Sequence, residues 1–262
     1  MNVLDRIFAT KRKEVASRKS TSSLRDLRLR AEDAEAPRGF LRALEQSPHS
    51  VALIAEVKKA SPVKGVIRES FDPIAIARAY ESAGADCLSV LTDVEFFQGS
   101  PEYLIQCRAA TTLPVLRKDF TTDEYHVYEA RAMGADAILL IVNGLDRAEL
   151  KSYRELAESL GMDVLVEAHT LAEAEIAVET GARMVGVNNR DLETFETNIE
   201  ASEVILPQLL GRAFLVSESA LRVNADVERV RKAGAGAVLI GTAFCSNPDV
   251  EGQVRQVMGW PE

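Results

Sequence analysis

The sequence predicts an α/β protein built as a single (β/α)8 TIM barrel with an N-terminal helical extension. Three observations predict it: a glycine-marked repeat, apolar strands that each stop at a polar residue, and a length of 262 residues, near the roughly 250 such barrels use. Gly84, Gly134, Gly181 and Gly234 each follow a helical stretch, as a helix-ending glycine does, and each precedes an apolar run. Those runs are Leu88-Ser89-Val90-Leu91, Ile138-Leu139-Leu140-Ile141, Met184-Val185-Gly186-Val187 and Ala237-Val238-Leu239-Ile240. The glycines lie about 50 residues apart, room for two βα units of about 25 to 30 residues each. They therefore mark every second strand. The strands between fall near 52–58, 114–118, 163–167 and 213–218, for eight in all.

Residues 1–48 precede the first strand and read as a helical extension, with a polar break around Glu32 to Pro37; residues 49–262 are the barrel. Leu4, Ile7, Phe8 and Val15 fall mostly on one helical face, so the first helix is amphipathic and packs on the protein. Lys11, Arg12, Lys13, Arg18 and Lys19 do not make a targeting signal, because Asp5 and Glu14 interrupt them and no apolar core follows. Helix starts follow the strands. Asp72-Pro73 and Asn247-Pro248 each offer an N-cap with proline at N1. Thr121…Glu124, Thr170…Glu173 and Thr197…Glu200 have capping-box spacing. The competing architecture is an open doubly wound sheet, which usually carries a Gly-rich fingerprint after its first strand. Here that position holds Lys58-Lys59-Ala60-Ser61-Pro62.

Composition narrows the function. The chain is 47% apolar and 27% charged, suited to one soluble domain with a real core. A net charge of −9 leaves no basic surplus for nucleic acid. The longest apolar run, near Ile138 to Val142, is too short to span a bilayer. Cys87, Cys107 and Cys245 are an odd, dispersed set without C-x-x-C, which argues for a reducing cytoplasm. His49, His126 and His169 lack ligand spacing, so no metal is expected. The expected partner is a small molecule, with a monomer as the working assumption.

Polar residues at the C-terminal ends of barrel strands read as catalytic. Ala52-Leu53-Ile54-Ala55 runs into Glu56 and Lys58, Pro114-Val115-Leu116-Arg117 into Lys118, and Val164-Leu165-Val166 into Glu167. Met184-Val185-Gly186-Val187 runs into Asn188, and Phe214-Leu215-Val216 towards Glu218. Strand residues two apart share a face, which pairs Glu56 with Lys58, Lys118 with Phe120, and Asn188 with Arg190. Lys59 reads as an ordinary exposed lysine, and His169 as a loop residue, with a proton shuttle as the alternative. Arg190 suits a carboxylate or phosphate, or else a plain ion pair with Asp191. Ser217-Glu218-Ser219 and Gly241-Thr242 end strands seven and eight, where barrels often hold phosphate. Phe97, Phe120 and Leu192 suit either an apolar wall for a flat ring or core packing. An acidic chain that gathers Lys58, Lys118 and Arg190 at one rim favours an anionic phosphorylated substrate. Glu56, Glu167 and Glu218 beside them suggest acid–base chemistry.

Taken in order, these residues closely resemble the indole-3-glycerol phosphate synthase family. The matching blocks include Ile54-Ala55-Glu56-Val57-Lys58-Lys59-Ala60-Ser61-Pro62, Phe96-Phe97-Gln98-Gly99-Ser100, Leu116-Arg117-Lys118-Asp119-Phe120, Asn188-Asn189-Arg190-Asp191-Leu192 and Ser217-Glu218-Ser219. Ser89-Val90-Leu91-Thr92, Val166-Glu167 and Leu239-Ile240-Gly241-Thr242 complete the ordered set. The resemblance implies a carboxy-lyase of tryptophan biosynthesis, closing the ring of 1-(2-carboxyphenylamino)-1-deoxyribulose 5-phosphate. It implies Lys118 as general acid, Glu167 as base of the dehydration, and Lys58 as carboxylate holder and further proton donor. Glu56 and Asn188 would orient these groups, with Glu218 and Ser219 completing the rim. Ser219, Ala220, Gly241 and Thr242 would grip phosphate near Arg190, and Ser61 would serve from the first loop. Phe97, Phe120 and Leu192 would line an anthranilate pocket, and the N-terminal helix would fold over the mouth. No metal or organic cofactor is implied. Two positions depart from the family: Ala220 replaces a usual glycine, and Val63 a usual serine. Two rival readings are a Schiff-base aldolase barrel and a sugar-phosphate-binding barrel without turnover.

Overall fold

Strand β1 (Ala52–Val57) pairs on one side with β8 (Ala237–Ile240) and on the other with β2 (Cys87–Leu91), and this double pairing closes the sheet. Between them run β3 (Val115–Lys118), β4 (Ala137–Ile141), β5 (Asp163–Ala168), β6 (Met184–Asn188) and β7 (Phe214–Glu218), every neighbour parallel. The computed structural model describes residues 3–191 and 196–261. Closure removes the exposed sheet edge and brings all eight strand C-termini to one rim. The four repeat glycines end their helices in the left-handed region, with φ of 97°, 85°, 88° and 107°, where a β-carbon is disfavoured.

Strand alternation sorts the core into two layers. Leu53, Ala55 and Val57 of β1 face the surrounding helices, while Ala52 and Ile54 face the barrel interior with Leu116, Leu165, Met184, Val216 and Leu239. Extending that inward phase by two residues reaches Glu56, Lys118, Glu167 and Glu218, and by four residues from Met184 reaches Asn188. The barrel is thus apolar at its floor and charged at its mouth.

The residues before β1 form three helices, α1 (Val3–Thr21), α2 (Leu24–Asp33) and α3 (Phe40–Glu45). Leu4, Ile7, Phe8 and Val15 are all buried. Val3, Leu4 and Ile7 reach the cavity that contains Lys118. α3 closes the opposite end: Phe40, Leu41 and Leu44 join the interior cluster, and the Leu41 N–H donates to Asp163 Oδ2 at the start of β5, at 2.9 Å.

The remaining helices are α4 (Pro73–Ala83), α5 (Pro101–Ala110), α6 (Glu124–Ala132), α7 (Arg147–Ser159), α8 (Leu171–Glu179), α9 (Glu200–Ile205), α10 (Asn224–Lys232), α11 (Thr242–Cys245) and α12 (Val250–Met258). Asp72 caps α4 with Pro73 at N1, and Thr170 caps α8. Three expected caps are displaced. Asp123, not Thr121, caps α6. Asp249 caps α12, and Asn247 instead accepts the Asp249 N–H at 3.0 Å. Thr197 forms an isolated bridge with Arg190, and Asn198 accepts the Glu200 N–H at 3.0 Å. In each case a carboxylate or amide lies nearer the first turn and offers a strong acceptor to its orphan N–H groups. None of the described helices is long and apolar enough to cross a membrane.

Candidate active site

The charged layer is built from pairs. Lys58 Nζ lies 2.5 Å from Glu56 Oε2. Lys118 Nζ lies 2.9 Å from Glu167 Oε2 and 3.6 Å from Glu218 Oε2. The three carboxylates are 4%, 2% and 1% exposed for Glu56, Glu167 and Glu218, so water screens little of their interaction. Burial opposes the Lys118 charge, but Glu167, Glu218 and Glu56 outweigh it and hold the lysine pKa above its ordinary value. Burial also opposes ionisation of Glu167. Lys118 overcomes it, with help from His169 and from the Asn188 hydrogen bond, and the carboxyl falls to about 2. Glu218 goes the other way. Burial, reinforced by Glu167 and Glu56 and only partly offset by Lys118, pushes it up to about 8. One lysine therefore sits between a carboxyl group whose ionisation is favoured and one whose ionisation is opposed.

Glycines on neighbouring strands make room for this layer. A β-carbon on Gly186 would overlap Glu218 Oε1, and one on Gly241 would overlap Glu56 Oε2. Sequence reasoning assigned Gly241 to phosphate approach; it also houses a carboxylate.

Beside the charges stands an aromatic wall. The Phe97 and Phe120 ring centroids are 6.1 Å apart, and Phe8 of α1 meets Phe120 edge-on at 6.0 Å. Phe97 is held from behind, because Asp93 Oδ1 accepts the N–H groups of Phe96 and Phe97 at 2.7 and 3.1 Å. Leu192, the third residue expected here, lies outside the described residues. The wall and the charges enclose a cavity of about 390 Å³, within the range of small-molecule sites.

The cavity lining also includes Ser61, Arg190, Ser219, Ala220, Gly241 and Thr242. Ser219 and Ala220 have φ of 65° and 64°. The loop that family members build with glycine here is thus left-handed, and Ala220 adopts it with a β-carbon. Arg222, not foreseen from sequence, brings a second guanidinium to this rim. Burial first, and then Arg222, lower the Arg190 pKa against the attraction of Glu56.

Asn188 stands outside the cavity lining. It hydrogen-bonds Glu167 and accepts the Arg190 N–H at 3.0 Å. Two further residues, Asn189 and Lys11, were missed, and His169 was read as a loop residue with a shuttle only as the alternative. Asn189, 3% exposed, donates from Nδ2 to Ser217 Oγ at 3.0 Å and to the Glu218 carbonyl at 2.9 Å, fixing the strand from which Ser219 departs. Lys11, 1% exposed, reaches from α1 to within 2.6 Å of Asp93 and 3.0 Å of Asp119. His169 is more than a loop residue: its Nε2 lies 3.4 Å from Glu167 Oε1. The sequence signals were slight: a second amide in Asn188-Asn189, a lysine on the apolar face of α1, and a histidine in phase with Glu167.

A closed parallel barrel with paired carboxylates and ammonium groups at its C-terminal mouth is the architecture of a barrel enzyme. Its particular kind comes from comparison with known proteins. The family model described as indole-3-glycerol phosphate synthase matches residues 4–257. A protein of that description from Aromatoleum aromaticum is 47% identical, covering 98% of this chain and 99% of its own. One from Acaryochloris marina is 51% identical, covering 93% and 82%. The chain belongs to the indole-3-glycerol phosphate synthase family. Solved structures carry the fold alone at low identity. They include a thiamine phosphate pyrophosphorylase from Pyrococcus furiosus (TM-score 0.61, 14% identity, 80% of this chain and 95% of that one). The tryptophan synthase A-subunit from the same organism is another (TM-score 0.60, 12% identity, 80% and 98%).

Proposed function

We propose that this chain closes the pyrrole ring of indole-3-glycerol phosphate, acting on 1-(2-carboxyphenylamino)-1-deoxyribulose 5-phosphate with loss of carbon dioxide and water. The observation that carries the reading is Lys118, held charged between Glu167 and Glu218 and facing an aromatic wall. The aromatic carbon bearing the carboxylate attacks the sugar-chain carbonyl, and Lys118 donates a proton to the developing alkoxide. Loss of carbon dioxide restores the aromatic ring. Glu167 then removes a proton while the hydroxyl leaves as water, protonated from Lys58. Glu56 and Asn188 orient the charged groups, and Glu218 with Ser219 completes the rim.

Ser219, Ala220, Gly241 and Thr242 bind the phosphate with Arg190, while Ser61 contributes from the loop after β1. Phe97 and Phe120 pack against the anthranilate ring, and the start of α1, through Val3, Leu4 and Ile7, covers the mouth, while α3 closes the other end. Holding the two reacting carbons near attack distance supplies several of the roughly 7–11 kcal/mol available to intramolecular alignment. The raised Lys118 pKa weighs against a Schiff-base aldolase, which needs a neutral amine. We place the protein in the cytoplasm as a monomer. The test is the appearance of indole fluorescence when the anthranilate substrate is added; its absence refutes the reading.

A further inference from the structure

Strand β1 carries two of the mouth groups, Glu56 within the strand and Lys58 just past its end. The pairing of β1 does not run equally far on its two sides. Towards β2 it reaches Val57 and Val90, but towards β8 it stops at Ala55 and Ile240. In a parallel sheet the peptide groups along a strand point alternately to one neighbour and the other. The Ala52 N–H donates to the Gly236 carbonyl, towards β8, and the Leu53 carbonyl accepts the Asp86 N–H, towards β2. By that alternation the Glu56 carbonyl and the Lys58 N–H both point towards β8, beyond the residue where β8 ends. Buried peptide groups so placed need partners from elsewhere.

A side chain supplies them. After Ile240 the chain turns into the short helix α11, where the Cys245 N–H donates to the Gly241 carbonyl at 2.9 Å. This turn brings the Cys245 side chain against β1. Its Sγ donates to the Glu56 carbonyl at 3.3 Å and accepts the Lys58 N–H. A strand residue opposite Val57 would bond the same way, giving its N–H to residue 56 and taking one from residue 58. Tyr80 of α4 reinforces the arrangement. Its hydroxyl donates to the same carbonyl at 3.0 Å and lies 3.2 Å from Cys245 Sγ. Both side chains are fully buried and absent from the cavity lining. Burial raises the pKa of each above its ordinary value, so both keep their hydrogens as donors at neutral pH.

We propose that Cys245, held by Tyr80, is a positioning residue for Lys58: its thiol extends the sheet by one place and fixes the backbone from which Lys58 reaches the leaving hydroxyl. The same contact steadies Glu56, whose Oε2 lies 2.5 Å from Lys58 Nζ. Lys118 is supported differently. It lies within β3 and pairs with Leu91, and its carbonyl accepts the Thr92 N–H at 3.3 Å. Loss of the thiol therefore frees one lysine and leaves the other in place, so dehydration and ring closure respond unequally. Neither Cys245 nor Tyr80 touches substrate, and both act through β1.

This inference rests on the ring-closing reading, and the experiment separates the two. Cys245→Ala, Cys245→Ser and Tyr80→Phe are compared in single turnovers that resolve ring closure from dehydration, and in amide hydrogen exchange at Lys58. Cys245→Ala should slow dehydration about tenfold, short of the roughly 10²-fold that a 1 Å misplacement costs. Ring closure should stay near its wild-type rate, so the ring-closed, decarboxylated intermediate accumulates. Cys245→Ser, which keeps a donor and an acceptor, should restore most of the dehydration rate, and Tyr80→Phe should fall between. The Lys58 N–H should exchange faster in Cys245→Ala than in the unaltered protein. Wild-type dehydration in Cys245→Ala overturns the proposal, as does equal slowing of both steps without recovery in Cys245→Ser, the mark of a packing defect alone. If Cys245→Ala does not fold, Tyr80→Phe decides: an unchanged ratio of the two steps overturns it. If the unaltered protein makes no product, the ring-closing reading falls, and exchange at Lys58 no faster in Cys245→Ala then overturns the thiol's hold as well.

Discussion

Lys11 Nζ, on the first helix, lies 2.6 Å from Asp93 and 3.0 Å from Asp119. Asp93 holds the Phe97 backbone, and Asp119 follows Lys118 directly in the chain. One ammonium group thus ties α1 to the aromatic wall and to the strand that carries the proposed acid. Lys11→Met leaves two carboxylates without this partner in a buried setting. Breaking such a pair costs about 3–5 kcal/mol. Urea unfolding measures it, and a loss below about 1 kcal/mol, the worth of a surface pair, contradicts the reading. We also expect KM to rise, because Val3, Leu4 and Ile7 line the cavity.

Lys118→Ala removes the proposed proton donor for ring closure. Single-turnover rates should fall by at least the roughly 10²–10⁴ of general acid catalysis. Substantial retained turnover sinks the assignment. Lys58→Ala provides the contrast, since it should slow dehydration and let the ring-closed, decarboxylated intermediate accumulate.

Glu218 gives a pH signature with a definite sign. Its folded pKa of about 8 lies above the ordinary 4.5, mainly through burial. Between those values the folded state binds more protons than the unfolded one. The contribution of this carboxyl to stability is therefore complete below about pH 4.5 and is lost as pH rises through about 8. Glu167, lowered to about 2, has the opposite window, losing its contribution as pH falls from 4.5 towards 2. Glu218→Gln removes the first effect alone. The stability difference, wild type minus variant, should decline with rising pH through the neutral range; a flat difference contradicts the raised pKa.

Ala220 sits at φ 64°, where an L side chain is strained by about 1–2 kcal/mol. Ala220→Gly should recover roughly 1 kcal/mol of that, less the extra unfolded-state entropy of glycine. It should also lower KM by relaxing the amide towards the phosphate. Thermal melting and Michaelis constants check both, and an unchanged KM counts against a phosphate role for this amide.

Much of the barrel was legible because its signals are periodic and local. Gly84, Gly134, Gly181 and Gly234 mark helix ends through a backbone requirement, and inward phase alone carried Glu56, Lys118, Glu167 and Glu218 to one layer. Helix starts were less legible. Thr121 and Asp123, or Asn247 and Asp249, compete within two residues, and only the chain's approach path decides between them. Lys11 and His169 were opaque for a different reason. A lysine on an apolar face and a histidine after a strand acquire meaning from partners that folding supplies, and neither Asp93 nor Glu173 announces itself as such. Asn189 was overshadowed by Asn188, although its side chain ties β6 to β7.

Gly186 and Gly241 bear on how members of this family are told apart from their look-alikes. Each yields its side-chain space to a carboxylate on the adjacent strand. A relative could keep every acid and base and still lose the layer by acquiring a single methyl group at either position. Surveys that score only charged residues would count such a chain as competent. These two glycines are a negative marker of catalysis, informative through the atoms they lack, and any redesign of this mouth for another substrate inherits them as fixed points.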